Sequence, residues 1–139
     1  MRSLGCILLF ALLPLVASAC SSNEMTVVVE SDTRVNGGRS LYVLARRVER
    51  AVWETEREAP EKVSKSVFAV PADPTVIKSK ALIPGTPFEM TFKRPEDVPV
   101  ALYFFFTDES ERWTVFFELP VPEDIEVILK RNAITAVDY

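Results

Sequence analysis

The stretch FEMTFKRPEDVPVALYFFFTDESERWTVFFEL, residues 88–119, decides the fold class. Apolar and polar residues alternate over residues 88–94, which is typical of a strand with one face in a core. Residues 98–107 are apolar almost throughout, which predicts a central strand buried on both faces. An acidic turn over residues 108–112 joins it to residues 113–119, so we expect an antiparallel hairpin. This part of the chain predicts a β-sheet protein.

Strand-like runs recur on both sides of this stretch, separated by turn signals at the roughly 8–12-residue spacing that is typical of all-β sandwiches. The runs cover residues 25–30, 41–48, 66–70, 75–83, 125–130 and 133–137. In the second run Leu41, Val43 and Ala45 fall on one face, which predicts that this face lies in the core. Together the runs predict an all-β fold, a two-sheet β-sandwich of about eight strands.

A helical repeat follows the second strand, and its apolar members are Val48, Ala51, Val52, Thr55 and Ala59. This spacing predicts an amphipathic helix that ends before Pro60, with Trp53 on its flank. The charged residues 61–66 are expected to be irregular. The predicted sandwich therefore has one short helix inserted after the second strand.

The N-terminal residues indicate export. Arg2 supplies a positive charge, residues 4–16 are almost entirely apolar, and the small residues 17–19 lead into Cys20. A helix needs about 20 apolar residues to cross the hydrocarbon core of a bilayer. Because this run is shorter, it predicts a cleaved signal peptide over residues 1–19.

The segment Ala17-Ser18-Ala19-Cys20 resembles the lipobox of bacterial lipoproteins, which would place lipid on Cys20. Several acyl chains on one residue make membrane attachment effectively permanent. Lipoproteins that are retained in the inner membrane carry Asp directly after the lipidated cysteine. This chain has Ser21 at that position, as lipoproteins sorted to the outer membrane do. We therefore expect a lipid-anchored protein of the outer membrane that faces the periplasm. The alternative is a secreted protein cut after Ala19.

The expected organisation is a signal peptide (1–19), a lipidated cysteine with a short tether (20–24) and a β-sandwich domain (25–139).

Composition excludes several classes of function. The chain has no histidine, and its cysteines are Cys6, which leaves with the signal peptide, and Cys20. Imidazole zinc sites and Ser-His-Asp triads are therefore absent, and we expect no metal, cofactor, small-molecule substrate or enzyme activity. Residues 20–139 carry 15 basic residues (16 less Arg2) and 20 acidic residues, a net charge of −5. This charge argues against binding to nucleic acid.

Residues 31–40 are the candidate binding loop, because they are polar and too many for a tight hairpin. Long loops on a rigid sandwich often carry binding residues, although a plain surface loop fits the sequence equally well. The loop consists of Ser31, Asp32, Thr33, Arg34, Val35, Asn36, Gly37, Gly38, Arg39 and Ser40. We expect alanine at Asn36 and Arg39 to weaken partner binding and to change stability by no more than about 0.5 kcal/mol.

Two other segments have a structural interpretation. The phenylalanines at 104–106 would either line a lipid or ligand cavity or pack in the core, and a central strand favours the core. The acidic residues of the turn 108–112 would either clamp a cation or form a solvated hairpin tip, and we expect the solvated tip.

Taken in order, the landmarks of the chain resemble the TssJ (SciN) lipoproteins of bacterial type VI secretion systems. The resemblance covers essentially the whole length through the order of these landmarks rather than through dense identity. The landmarks are Cys20, Asn36-Gly37-Gly38-Arg39, Leu41-Tyr42-Val43-Leu44, Ile83-Pro84-Gly85, the run 100–108, Arg112-Trp113 and the closing strand 125–129.

This resemblance implies a transthyretin-like sandwich with a structural role in an envelope-spanning complex. In that family the loop between the first two strands docks on the periplasmic domain of TssM, an inner-membrane protein. The corresponding loop here is residues 31–40. The expected partners are therefore the outer membrane, through lipid on Cys20, and the periplasmic domain of a TssM-like protein.

Two other classes of function stay open. A pilotin-type lipoprotein, which escorts or stabilises an outer-membrane secretin, would need an exposed apolar groove, and Phe88, Phe92 and Phe104 are its candidate residues. An envelope hydrolase or its inhibitor is the other class, and hydrolysis by this chain would depend on a carboxylate.

Overall fold

Eight strands and two short helices make up residues 22–139, the part of the chain that the structure, a computed structural model, describes. The predicted signal peptide and Cys20 lie outside the described residues. The strands are β1 (Glu24–Ser31), β2 (Leu41–Arg47), β3 (Val76–Leu82), β4 (Phe88–Lys93), β5 (Val100–Phe105), β6 (Thr114–Phe117), β7 (Asp124–Lys130) and β8 (Ala133–Asp138). The helices are α1 (Arg50–Glu56) and α2 (Pro60–Val67), and a 3-10 turn covers Val35–Gly38.

The strands form two four-stranded sheets, which confirms the predicted β-sandwich. The β1 sheet has the order β4-β1-β7-β8, and the β2 sheet has the order β3-β2-β5-β6. Strands β1 and β7 run parallel, and every other neighbouring pair runs antiparallel. Because β1 and β2 belong to different sheets, the chain between them must cross from one sheet to the other. This crossing explains why residues 31–40 are too many for a hairpin turn.

The main core lies between the two sheets, as the alternating strands predict. Strand β4 points Phe88, Met90 and Phe92 into this core, and β2 points Leu41, Val43 and Ala45 into it. All six side chains are almost fully buried. Strand β5 lies between β2 and β6, and its first five residues are buried. The prediction of a central strand buried on both faces is therefore confirmed. Its second face is covered by the helices.

The two helices cover the outer face of the β2 sheet, where one helix was predicted. A second apolar cluster joins Val63 and Val67 of α2 to Leu44, Tyr103 and Trp113. The predicted strand over residues 66–70 is wrong, and so is the irregular segment over 61–66. Residues 61–67 belong to α2, and residues 68–70 form the turn after it. This helix begins with proline at its first position and buries two valines four residues apart.

The apolar stripe predicted for the first helix is also wrong, because Ala51, Val52 and Thr55 face solvent. Trp53 and Glu56 turn towards the sheet instead. The Trp53 indole Nε1 donates a hydrogen bond to Thr114 Oγ1 at 2.9 Å. Polar bonds thus set the rotation of α1, and its apolar spacing does not. Within residues 22–139 no helix is both long enough and apolar enough to cross a bilayer.

Candidate docking loop

The candidate loop lies at the end of the sandwich opposite to the first described residues. Strand β1 has eight residues, and at about 3.3 Å per residue it separates Asn23 from Ser31 by roughly 26 Å. The Ser31 Oγ accepts a hydrogen bond from the backbone N–H of Gly85, in the turn before β4, at 3.2 Å. The backbone N–H of Asn36 donates to the carbonyl of Arg131, between β7 and β8, at 2.9 Å. The loop therefore rests on two turns that are distant from it in the sequence.

Asn36 holds the loop together from inside. Its side chain is fully buried, and its amide Nδ2 donates to the carbonyls of Arg39 (3.0 Å) and Ser40 (3.2 Å) and to Thr107 Oγ1 (3.1 Å). Its Oδ1 accepts from the backbone N–H of Thr107 at 2.8 Å. The backbone of Asn36 has φ of 53°, a left-handed conformation in which asparagine is enriched. Every polar atom of this side chain is thus used within the fold.

The loop also packs closely on the turn before β4. Gly85 has φ of +78°, and a Cβ on it would lie 2.6 Å from Thr33 Cγ2. Glycine is therefore required there both by the backbone angle and by the approach of Thr33. Val35 is fully buried in the main core. The loop is built into the sandwich at three points, and the Gly37-Gly38 pair continues its turn at positive φ.

Charged side chains cover the outer side of the loop. The Arg34 side chain is 87 % exposed, and Arg39 is half exposed where it pairs with Asp108 at 2.8 Å. The Asp32 carboxylate accepts a hydrogen bond from the backbone N–H of Arg34 at 2.8 Å. This bond, assisted by the charge of Arg34, lowers the pKa of Asp32 below its usual value. The loop therefore presents two arginines and one carboxylate to solvent, and Asp108 of the neighbouring turn adds a second carboxylate.

The structure divides the predicted site residues into two groups. Asp32, Thr33, Arg34, Gly37, Gly38, Arg39 and Ser40 are exposed, Ser31 is half-buried, and Val35 and Asn36 are buried. The side chain of Asn36 is not open to direct contact with a partner, because it is fully buried, and the part of the loop in partner binding stays a prediction. Sequence reasoning also missed the supporting residues Thr107, Gly85 and Arg131, which are distant in the chain. The Asn-Gly pair was the available signal for a left-handed turn.

The phenylalanines proposed for a pilotin-type groove do not form an exposed groove together. Phe88 and Phe92 are about 5 % exposed and Phe104 is not exposed at all. All three pack in the main core, so the predicted groove is wrong. Among the described residues no group of three or more histidine, cysteine, aspartate or glutamate side chains is placed to hold a metal ion.

A buried polar network connects α1 to the β2 sheet. Arg46 Nη1 donates to Glu56 Oε1 at 2.5 Å, Tyr103 OH donates to Glu56 Oε2 at 2.7 Å, and Arg46 Nε donates to Thr75 Oγ1 at 2.7 Å. Burial, reinforced by the Glu56 carboxylate, raises the pKa of Tyr103. Burial alone would lower the pKa of Arg46, but the hydrogen bond and the charge of Glu56, together with the nearby Tyr103 and Asp73, raise it above its usual value. These groups satisfy one another, which identifies the network as structural.

The family comparison gives one decisive match. The family model described as IglE, N-terminal domain, matches residues 42–129. The chain belongs to this family. The match runs from β2 to β7 and so includes the helices, but it reaches neither the loop 31–40 nor Cys20. A comparison of the IglE-family chain with curated protein sequences finds no match.

Solved structures share the fold of this IglE-family chain. A structure titled "Type VI membrane complex" matches with a TM-score of 0.61 at 11 % identity, covering 83 % of this chain and 98 % of the other. The type VI secretion lipoprotein TssJ1 from Pseudomonas aeruginosa matches with a TM-score of 0.58 at 12 % identity, covering 84 % and 95 %. Serratia marcescens Lip, described as a membrane-bound component of the type VI secretion system, matches with a TM-score of 0.57 at 15 % identity, covering 82 % and 96 %. At these identities the similarity is one of fold.

Proposed function

We propose that this chain is a non-enzymatic structural lipoprotein of a type VI secretion membrane complex. Lipid on Cys20 holds it on the outer membrane after removal of residues 1–19, and the loop 31–40 docks the periplasmic domain of a TssM-like inner-membrane protein. Support comes from the shared fold, since each of the three similar structures carries the type VI name. Further support comes from the landmarks of the sequence, which resemble TssJ lipoproteins.

The observation that carries the proposal is the placement of the loop at the far end of β1. Only Ser21 and Ser22 separate Cys20 from Asn23, so the lipid would hold the start of β1 close to the bilayer. The loop lies roughly 26 Å further along the strand direction. A protein anchored at one end and exposing a charged loop at the other is suited to connect a membrane to a partner beyond it.

The construction of the loop also suits binding. Asn36 fixes the backbone that carries Arg34 and Arg39, so a partner would not have to order the loop on binding. Arginine is enriched among the residues that dominate the energy of protein interfaces. Both arginines are held in place by exposed carboxylates, Asp32 and Asp108. Such exposed pairs contribute little to stability, so the arginines can exchange partners at small cost.

Alanine at both Arg34 and Arg39 is expected to raise the Kd for the purified periplasmic domain of the TssM-like partner at least about tenfold, because hot-spot truncations cost more than about 1 kcal/mol each. Calorimetric titration measures this change. Arg57→Ala is the matched control, since Arg57, directly after α1, is as exposed as Arg39 and also pairs with a carboxylate. An unchanged Kd for the double variant, with normal thermal stability, would contradict the assignment of the loop.

Cys20→Ser is expected to move the folded domain from the membrane fraction to the soluble fraction, because the lipid is proposed as its attachment. Cell fractionation and metabolic labelling with a fatty acid measure attachment and acylation. Cys6→Ser is the matched control, since it removes a cysteine of the predicted signal peptide and should leave both unchanged. Acylated, membrane-bound Cys20→Ser protein would overturn the proposed anchor.

A further inference from the structure

The outer face of the β1 sheet differs from that of the β2 sheet in having no helix over it within residues 22–139. Both helices contribute to the apolar cluster on the β2 sheet. Side chains on the free face of the β1 sheet follow the alternation of its strands, so that Glu24, Thr26, Val28 and Glu30 of β1 point outward. An uncovered sheet face on a small sandwich is a surface open to a partner.

Carboxylates dominate this free face. Six acidic and two basic side chains point outward from its four strands, a net charge of −4. They are Glu24, Glu30, Glu89, Asp124, Glu126 and Asp138, with Lys93 and Lys130. All described residues together carry 20 acidic and 15 basic side chains, a net charge of −5. Nearly the whole net charge of the domain is therefore concentrated on one face.

These carboxylates make no ion pair with any described residue, although ion pairs are common elsewhere on the domain. Arg46, Arg50, Arg57 and Arg94 all pair with carboxylates away from this face. On the free face Glu126 lies directly opposite Asp138 on the neighbouring strand. Like charges directly opposite each other destabilise a sheet. The placement of Glu126 opposite Asp138 is thus unfavourable for the isolated domain.

The centre of the same face is apolar. Val28 is 41 % exposed and lies between Glu89 on β4 and Glu126 on β7 in the strand register. The half-buried Ile128 and the exposed Ala136 lie opposite each other on the next two strands. An apolar centre with a charged rim is the common anatomy of a protein interface. The face therefore has both a contact area and a charge that selects what can approach it.

We propose that the free face of the β1 sheet docks a partner protein surface rich in lysine and arginine. Charge complementarity selects this occupant, because opposite potentials steer association and like potentials oppose it. A bilayer with anionic lipids would be repelled. A second copy of this chain, pairing the same patch by two-fold symmetry, would bring two acidic faces together. The partner's cations would relieve the opposition of Glu126 and Asp138.

Site-specific photo-crosslinking tests this docking in cells that carry the full-length lipoprotein. Val28→p-benzoylphenylalanine places the crosslinker at the apolar centre, and Val52→p-benzoylphenylalanine on α1, 46 % exposed, is the matched control site. We expect a protein adduct from position 28 whose partner peptide, sequenced by mass spectrometry, contains lysine or arginine next to the crosslink. Adding Glu126→Lys and Asp138→Lys should lower its yield about tenfold, since reversing two exposed charges changes two attractions into repulsions.

The neutral double variant Glu126→Gln with Asp138→Asn tests whether a smaller adduct yield comes from lost charge or from misfolding. Removing the opposed charges should leave the melting temperature equal or higher, while the adduct still decreases. Arg34→Ala should leave the adduct at position 28 unchanged, which separates this face from the docking loop. An adduct that is unaffected by both charge variants, an adduct with lipid or with a second copy of the chain, or the absence of a protein adduct would each overturn the proposal.

Discussion

Replacing Asn36 by alanine is expected to lower the free energy of unfolding by about 3 kcal/mol, since buried partners left unsatisfied cost about 1–3 kcal/mol each. The substitution removes the two amide N–H groups that three oxygen acceptors share, and it leaves the backbone N–H of Thr107 without its acceptor. Alanine must also adopt φ of 53° in place of asparagine, which adds strain. This result would replace the expectation of a nearly neutral change at position 36.

Urea unfolding followed by fluorescence measures this loss of stability. Arg34→Ala is the matched control from the same loop, because its side chain is 87 % exposed and surface substitutions usually change stability by less than about 0.5 kcal/mol. If Asn36→Ala proved as stable as Arg34→Ala, the hydrogen bonds of Asn36 would not be what holds the loop. Any loss of partner binding in Asn36→Ala would follow from a disordered loop rather than from a lost contact.

Residues with regular alternation were predictable from the sequence. Phe88, Met90 and Phe92 repeat every second position, and only one face of a strand can bury such a set. The apolar run that contains β5 predicted its central position, because only a strand covered on both faces can hide so many apolar side chains. The hairpin between β5 and β6 followed from the polar turn between them. Local patterns therefore determined most of the strands.

The helices were only partly predictable, because their orientation depends on distant residues. The spacing of Ala51, Val52 and Thr55 indicates a helix, but not which face would be buried. Trp53 and Glu56 face the sheet because Thr114 and Tyr103 bind them there, and no local pattern reports those partners. The β-branched residues within 66–70 favoured a strand. A helix forms over residues 60–67 instead, because proline suits a helix N-terminus and α2 packs on Trp113.

The candidate loop shows the same division between local and distant causes. Its length and polarity were visible in the sequence, and both follow from the crossing between sheets. The burial of Asn36 was not visible, because it depends on Thr107 and Arg131, 71 and 95 positions further along the chain. An asparagine that only the assembled fold can satisfy has the same local sequence as one that faces a partner.

Replacing Glu56 by alanine is expected to lower the free energy of unfolding by about 3 kcal/mol, because removing one member of a buried ion pair leaves the other charge uncompensated. The Arg46 side chain is 11 % exposed and would keep only Asp73, at 3.9 Å, as a charged partner. Tyr103 would lose the acceptor of its hydroxyl proton as well. The same loss would free α1 from the β2 sheet, so amide hydrogen exchange should increase along Arg50–Glu56.

Thermal and urea unfolding measure the effect, and Glu54→Ala on the same helix is the matched control. Glu54 is 54 % exposed and pairs only with Arg50 at 3.9 Å, so its removal should change stability by less than about 0.5 kcal/mol. The paired substitution Arg46→Met with Glu56→Leu should recover much of the loss, because apolar residues of similar volume can replace a buried ion pair at little cost. Equal stability of Glu56→Ala and Glu54→Ala would show that the network does not hold α1 on the sheet. If the double variant does not recover stability, the hydrogen bonds of Tyr103 and Thr75 provide the stabilisation. Neither apolar residue can restore those bonds.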